Sequence, residues 1–115
     1  MKKEIMIKCR GAELVSHERL VPFQGNLKDL SEENYNKLKG EILSLGFSEP
    51  LSVWKNDGKL HLLNGHQRHR VITKMVAEGF RCPELPISIV EADSFEEARK
   101  KVLALTSQYG EITGQ

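Results

Sequence analysis

The sequence of 115 residues contains only two cysteines, Cys9 and Cys82, and no C-x-x-C pair. Because a zinc site needs several Cys or His ligands at close spacing, this pattern predicts no metal site and two reduced thiols. No apolar run approaches the ~20 residues that a membrane-spanning helix needs. No apolar stretch follows the charged N-terminus either, so we expect no signal peptide, no membrane partner and a cytoplasmic location.

Length excludes further classes of protein. A chain of this size matches one domain of the usual ~100–150 residues, which excludes a multidomain enzyme, and a TIM barrel takes about 250 residues. The chain has 39% hydrophobic and 29% charged residues, an ordinary globular composition. We therefore predict a single domain that spans residues 1–115.

Net positive charge is small overall, but it is concentrated in one segment. The formal net charge is +1. Residues 59–81 contain five Lys and Arg and one Glu, a net +4, whereas the remaining 12 Lys and Arg and 15 Asp and Glu give −3. Three of the four histidines lie in the same segment. The pattern is typical of a site for phosphate or nucleic acid and equally of a solvated helix face.

Local patterns predict the element order β-β-α-β-β-α-β-α. Two strands are predicted near the N-terminus, over Glu4–Cys9 and Leu14–Val21, and a third helix is expected to end at Tyr109-Gly110. The first helix begins after Ser31, a residue type that caps helix starts. The other predicted elements are a hairpin over 51–54 and 60–64 with the turn Asn56-Asp57-Gly58, a helix from His66 to Glu78, a strand over Leu85–Val90, and a helix that follows the Ser94–Glu97 capping motif. We therefore expect an α/β (α+β mixed) fold with a small mixed sheet and three helices.

The most informative segment is the predicted strand-to-helix turn at Gly65. A helix start offers unpaired N–H groups and a partial positive charge, and a glycine lets a ligand approach the backbone. Five polar or basic residues follow in the first turn: His66, Gln67, Arg68, His69 and Arg70. Cations at a helix start cost about 0.3–1 kcal/mol each. Fold stability gives no reason to place them there, whereas a bound anion does.

Spacing assigns these side chains to different sides of the helix. His66 and Arg70 share one face, with His69 beside it. Arg68 shares its side with Ile72 and points closer to the core, where a half-buried Arg needs a carboxylate or a carbonyl partner. Two interpretations of Arg68 remain open, a structural tie to a neighbouring loop and a phosphate ligand.

The segment Asn64-Gly65-His66-Gln67-Arg68-His69-Arg70 resembles the signature of the ParB/sulfiredoxin superfamily, Asp-Gly-His-x-Arg followed by a helix. The flanking segments 45–53 and 85–98 resemble ParB-like domains in the same order, so that the similarity covers a core of about residues 12–112. The resemblance implies a ParB/sulfiredoxin-like single domain.

The branches of this superfamily differ at the turn. Sulfiredoxins place a catalytic cysteine directly after the glycine, where this chain has His66, so sulfinic acid reduction is not expected. Chromosome-partition ParB proteins bind CTP through Gly-Glu-Arg-Arg-x-Arg. Gly65, Arg68 and Arg70 match that motif, whereas His66 and Gln67 replace its Glu and first Arg. Their later Glu-Asn-x-x-Arg motif has no counterpart, which places CTP hydrolysis in doubt.

The sequence is most similar to the ParB-like (ParB-like nuclease) domains of phages and mobile elements, which often precede a DNA methyltransferase. This resemblance implies phosphate or nucleic-acid binding by residues 64–70, with DNA as a partner and a methyltransferase as a partner or fused domain. It also implies CTP or another nucleotide with Mg²⁺ as a cofactor, although no residue requires one.

Three functions stay open at this point. The first is a nucleotide- or nucleic-acid-binding module, including a CTP-dependent switch. The second is a metal-dependent nuclease with His66 as general base, although Asn64 replaces the expected Asp and is a poorer metal ligand. The third is a non-catalytic module that docks a methyltransferase on DNA. The bound nucleotide, the oligomeric state and any further domain are not predicted.

Overall fold

The computed structural model describes residues 4–7, 13–22 and 30–113, with side chains to residue 104. The described residues form a five-stranded mixed sheet and three helices. The strands are β1 (Glu13–Val15), β2 (Leu20–Val21), β3 (Leu51–Asn56), β4 (Lys59–Leu62) and β5 (Leu85–Ile89), and the helices are α1 (Glu32–Leu45), α2 (His66–Ala77) and α3 (Phe95–Thr113). The strand order is β1-β5-β3-β4-β2. Pairs β1–β5 and β3–β4 are antiparallel, and pairs β3–β5 and β2–β4 are parallel. The predicted mixed α/β class is confirmed, and from α1 onward the elements follow the predicted order.

The two faces of the sheet bury different helices, because successive side chains of a strand point to opposite faces. Val53 and Leu62 lie opposite each other in the β3–β4 hairpin. Both belong to the main core, which α1 and α2 cover with residues such as Ile72. The next residues along the two strands, Trp54 and Leu63, belong to a second cluster with Ala98 of α3. The sheet therefore lies between α2 and α3.

Three local signals in the sequence have their expected structural effect. Ser31 Oγ accepts a hydrogen bond from the N–H of Asn34 at 3.1 Å, which caps α1. The hairpin turn contains Asp57 at φ 53° and Gly58 at φ 77°, the left-handed conformations that a tight turn of this kind requires. Ser94 Oγ accepts from the N–H of Glu97 at 3.1 Å, which caps α3.

The predictions for the N-terminal region are wrong in part. The segment Leu14–Val21 is not one strand, because the 3₁₀ helix His17–Arg19 separates β1 from β2. Ser16 Oγ accepts a hydrogen bond from the N–H of Glu18, so the side chain satisfies a backbone donor and favours a turn over continued pairing. Within the segment Glu4–Cys9, residues 4–7 form only isolated bridges, one to Arg81 and one to Phe47. Cys9 lies outside the described residues.

The predicted end of the third helix is also wrong. The helix α3 continues through Tyr109 and Gly110 to Thr113. A glycine inside a helix costs about 1 kcal/mol relative to alanine, which weakens a helix without ending it. None of the helices that the structure describes has the length and apolarity of a membrane span.

Candidate functional site

The turn between β4 and α2 depends on the absence of a side chain at Gly65. This residue has φ 72° and ψ 24°, the left-handed conformation, and it occupies the position before the first helical residue of α2. A Cβ atom on Gly65 would lie 2.3 Å from Cδ2 of Leu51, a fully buried residue of β3. Gly65, at the cap position of α2, has no side chain that could accept from the first N–H groups of this helix. These N–H groups therefore form the kind of helix start that accepts an anion.

The side chain of Asn64 fixes this turn to the neighbouring strand. Asn64 Oδ1 accepts a hydrogen bond from the N–H of Ser52 at 2.9 Å, and Asn64 Nδ2 donates to Ser52 Oγ at 3.3 Å. The N–H of Leu63 also donates to the carbonyl of Ser52 at 2.8 Å. The amide therefore continues the pairing of β3 with β4 beyond the last residue of β4, so that its polar atoms serve the structure of the turn.

Arg68 has the carbonyl partner that sequence spacing required of it. Its guanidinium donates to the backbone carbonyl of Glu49 at 3.1 Å and lies 5.2 Å above the ring of Phe47. The carboxylate of Glu49 is 4.0 Å away and 71% exposed, so solvent screens this ion pair. Arg68 also lines a small half-open cavity of about 90 Å³ beside the end of α1. These contacts support the structural interpretation, a tie between α2 and the loop before β3.

His69 does not share the surface of the turn with the other basic residues. It is buried, at 9% exposure, and its Nε2 lies 3.1 Å from the carbonyl of His17. Since a carbonyl only accepts, Nε2 carries the hydrogen. The contact joins α2 to the 3₁₀ helix and separates His69 from the other predicted phosphate ligands.

The burial of His69 predicts a loss of stability at acid pH. Burial lowers the pKa of His69 below its usual 6.5, as does the nearby charge of His17, against the opposing effect of the bond to the His17 carbonyl. His69 therefore takes up a proton near pH 6.5 in the unfolded chain but only at lower pH in the folded chain. Because the unfolded state then binds more protons, the free energy of unfolding falls as the pH drops below 6.5. Urea denaturation at pH 7.5 and 5.0 should show a smaller fall for His69→Gln than for the wild type. Equal falls in both proteins would contradict this assignment.

At the first turn of α2, His66 lies within electrostatic reach of two arginines, Arg70 and Arg99. His66, the first helical residue, is half-buried, and burial lowers its pKa. A hydrogen bond to the backbone of Leu62 opposes this shift, whereas the charges of His69, Arg70 and Arg99 lower the pKa further. Arg70 is one helical turn further along α2, whereas Arg99 belongs to α3. The arrangement concentrates positive charge beside an uncapped helix start.

Nothing in the sequence places Arg99 of α3 beside the turn. The guanidinium of Arg99 lies 5.9 Å from the ring centroid of Phe95. Phe95 packs with Trp54 and His61 of the hairpin, at centroid distances of 6.3 and 6.0 Å. The aromatic group thus places the first turns of α3 over the hairpin and brings Arg99 towards His66.

The other described residues with metal-binding or nucleophilic side chains form no second reactive group. Gln67 is half-buried, like its neighbours. Burial raises the pKa of the Cys82 thiol to about 11, so Cys82 stays protonated and unreactive at neutral pH. Among residues 4–7, 13–22 and 30–104, no group of three His, Cys, Asp or Glu side chains lies close enough to hold a metal ion.

Comparison with known proteins supports the fold. No protein-family model and no curated protein matches the sequence. Among solved structures, the chain is similar to sulfiredoxin from Arabidopsis thaliana, with a TM-score of 0.53 and 17% sequence identity, over 70% of this chain and 84% of that one. At this identity the likeness establishes the architecture alone, without the activity. The fold expected from the sequence resemblance is confirmed: the chain has the ParB/sulfiredoxin fold.

Proposed function

We propose that this chain is a nucleotide- or nucleic-acid-binding domain that holds a phosphate group at the start of α2. The observation that carries the proposal is the helix start at Gly65 and His66, where the charges of Arg70 and Arg99 act on His66. In the wider setting, we propose an accessory or front domain of a phage-type DNA-modification or partition protein, with DNA as its partner.

The electrostatics of the turn favour an anionic ligand. The start of a helix carries about half a positive charge, and each nearby cation costs about 0.3–1 kcal/mol there. A bound phosphate makes the electrostatic energy of the turn favourable, because its negative charge attracts both the helix start and the cations. It also accepts hydrogen bonds from the N–H groups and from the guanidinium groups. Arginine suits this role because it stays charged and presents several donors in a plane.

Binding, rather than catalysis, is the function that the contacts favour. Asn64 and Arg68 are both held by structural partners, Ser52 and the Glu49 carbonyl. A metal-dependent nuclease needs carboxylates that hold Mg²⁺ in the site, and the described residues near His66 contribute cations instead. His66 keeps the role of general base only in that alternative.

A calorimetric titration with CTP, ATP and a short DNA duplex tests the proposal. We expect Arg70→Ala to weaken binding of the preferred ligand by about 10- to 100-fold, the size of a lost charge-assisted hydrogen bond. The matched control is Arg81→Ala, which removes the same charge from an exposed pair with Glu4 at 3.6 Å. The control should change the affinity by less than about threefold, because an exposed charge pair contributes little.

Two salt concentrations separate the ligand classes. Binding to the duplex should weaken steeply with salt, because cationic contacts to phosphates release counterions. If wild-type protein binds none of the three ligands, or if Arg70→Ala and Arg81→Ala behave alike, the proposed function is wrong.

A further inference from the structure

Three aromatic rings contact one another on the α3 side of the sheet, and together Trp54, His61 and Phe95 form the aromatic group. Trp54 and His61 lie directly opposite each other in the β3–β4 hairpin. Their ring centroids are 5.5 Å apart, at an interplanar angle of 34°. Phe95 begins α3 and lies 6.3 Å from the first ring and 6.0 Å from the second. Each ring is half-buried, so part of its surface is open to solvent.

The packing of α3 leaves this part of the sheet incompletely covered. The buried residues of the second cluster are Leu63, Ala98 and Val102. The rings of Trp54 and Phe95 pack against that cluster and are only partly buried by it. Val21 of the edge strand β2, which lies directly opposite His61, is half-buried as well. The accessible surface therefore extends from α3 across β4 to the edge strand.

The indole of Trp54 is fixed in place and has no unused polar atom. Its Nε1 donates to the backbone carbonyl of Ala92 at 2.9 Å. An indole has one donor and no acceptor, so this bond satisfies the whole side chain. What the ring offers to solvent is therefore apolar π-surface in a fixed orientation. A ligand that stacks on a fixed ring costs little side-chain entropy.

Cationic side chains adjoin the aromatic group on α3 and on β4. Arg99 is exposed, and its guanidinium lies 5.9 Å from the ring centroid of Phe95. The acidic neighbour Glu96 is rotated by about 100° around the helix from Phe95, because a helical turn takes about 3.6 residues. Lys59 is exposed and lies two residues before His61 in β4, so both side chains point to the same face. A ligand that combines planar rings with negative charge is complementary to this surface.

We propose that the aromatic group stacks unpaired bases of single-stranded nucleic acid, which specifies the ligand of the proposed function and rests on it. Bases in a duplex are stacked on their neighbours, whereas a single strand can present its base faces to protein rings. Such stacking tolerates any sequence, because every base has a π-face. The phosphates beside a stacked base lie within reach of the cations that adjoin the rings, and these contacts make binding dependent on salt.

The first test compares strands that differ only in their bases. An oligothymidine of about 12 nucleotides and an abasic strand of the same length, each carrying a dye, are titrated with the whole chain and followed by anisotropy. We expect the oligothymidine to bind about tenfold or more tightly than the abasic strand, the size of one or two stacked bases. Equal affinities overturn the proposal. Tighter binding of a duplex of the same length, or of CTP added as a competitor, also overturns it.

The fluorescence of Trp54 gives a second and independent measurement, because the chain contains a single tryptophan. We expect saturating oligothymidine to quench this emission, since a base then contacts the aromatic group. The abasic strand should leave the emission nearly unchanged. Emission that does not respond to saturating oligothymidine overturns the proposal.

Two identical substitutions on opposite sides of the sheet separate stacking from general packing. Phe95→Leu keeps an apolar side chain at the start of α3 and removes a ring of the aromatic group. Phe80→Leu is the matched control, because its half-buried ring packs against the main core beside Lys39. We expect Phe95→Leu to lower the ratio of oligothymidine to abasic affinity about threefold or more, and Phe80→Leu to leave that ratio unchanged.

The ratio is the decisive quantity, because partial unfolding weakens the binding of both strands alike. His61→Leu provides a second variant with the same expectation if the melting temperature shows that Phe95→Leu is unfolded. A ratio that neither Phe95→Leu nor His61→Leu changes overturns the proposal.

The outcomes also distinguish this inference from the proposed function. A preference for oligothymidine that the ring substitutions remove supports both. Salt-dependent binding of the two strands with equal affinity overturns base stacking and leaves phosphate binding standing. If neither strand binds, both are overturned.

Discussion

Replacement of Gly65 by alanine should lower the free energy of unfolding by about 2–5 kcal/mol. The residue has φ 72°, and a left-handed conformation costs an L-residue with a Cβ about 1–2 kcal/mol. The new Cβ would also lie 2.3 Å from Cδ2 of Leu51, which is fully buried and cannot move into solvent. Overpacking of this kind typically costs a further 1–3 kcal/mol or so. Urea denaturation of the two proteins at pH 7.5 measures the difference.

The chain offers a matched control for this change in Gly40. That glycine lies inside α1, and a Cβ there would meet nothing within 4 Å. Gly40→Ala should therefore stabilise the protein by about 0.5–1 kcal/mol, because alanine favours a helix over glycine. If the two variants had similar unfolding free energies, the left-handed turn would not depend on Gly65 in the way that the structure indicates.

Replacement of Asn64 by alanine is expected to have the second-largest effect, a loss of about 2–4 kcal/mol. The substitution removes two hydrogen bonds with Ser52, each of which contributes about 0.5–1.5 kcal/mol. It also leaves the half-buried N–H of Ser52 without its acceptor, and an unsatisfied buried donor costs about 1–3 kcal/mol. Small domains have only about 5–15 kcal/mol of total stability, so the transition should shift to a clearly lower urea concentration.

Asn36→Ala provides the comparison for this substitution. Asn36 is an exposed residue of α1, where alanine is the better helix former, so the change should be neutral or stabilise by about 0.5 kcal/mol. Ser52→Ala should lie between the two asparagine variants, because it removes one of the two bonds and keeps the backbone donor satisfied. A loss below about 0.5 kcal/mol in Asn64→Ala would show that the amide does not hold the turn.

The candidate site could be located from the sequence because its signals are local. A glycine between an apolar strand and a helical pattern indicates a tight turn, and the basic residues that follow occupy one helical turn. Spacing also indicated that Arg68 leans towards the core, where the Glu49 carbonyl now provides its partner. Periodicity places a side chain on a helix face, but it does not say what packs against that face.

The division of roles within the turn could not be derived from spacing. His69 differs from His66 by three residues, yet one is buried against the carbonyl of His17 and the other faces the cations of the turn. The partner of His69 belongs to a 3₁₀ helix that the sequence pattern did not predict. Asn64 likewise was read as a site residue, and its amide serves the pairing of β3 with β4.

The sequence by itself determined the order of the elements from α1 onward, the caps of α1 and α3, the hairpin turn and the position of the strand-to-helix turn. These features depend on interactions between residues a few positions apart, which a local pattern contains. Only the tertiary structure decided that Arg99 of α3 approaches His66, that His69 is internal and that the amide of Asn64 holds Ser52. Each of these depends on a contact between residues at least twelve positions apart, whose distance is set by how the layers pack on the sheet rather than by sequence spacing.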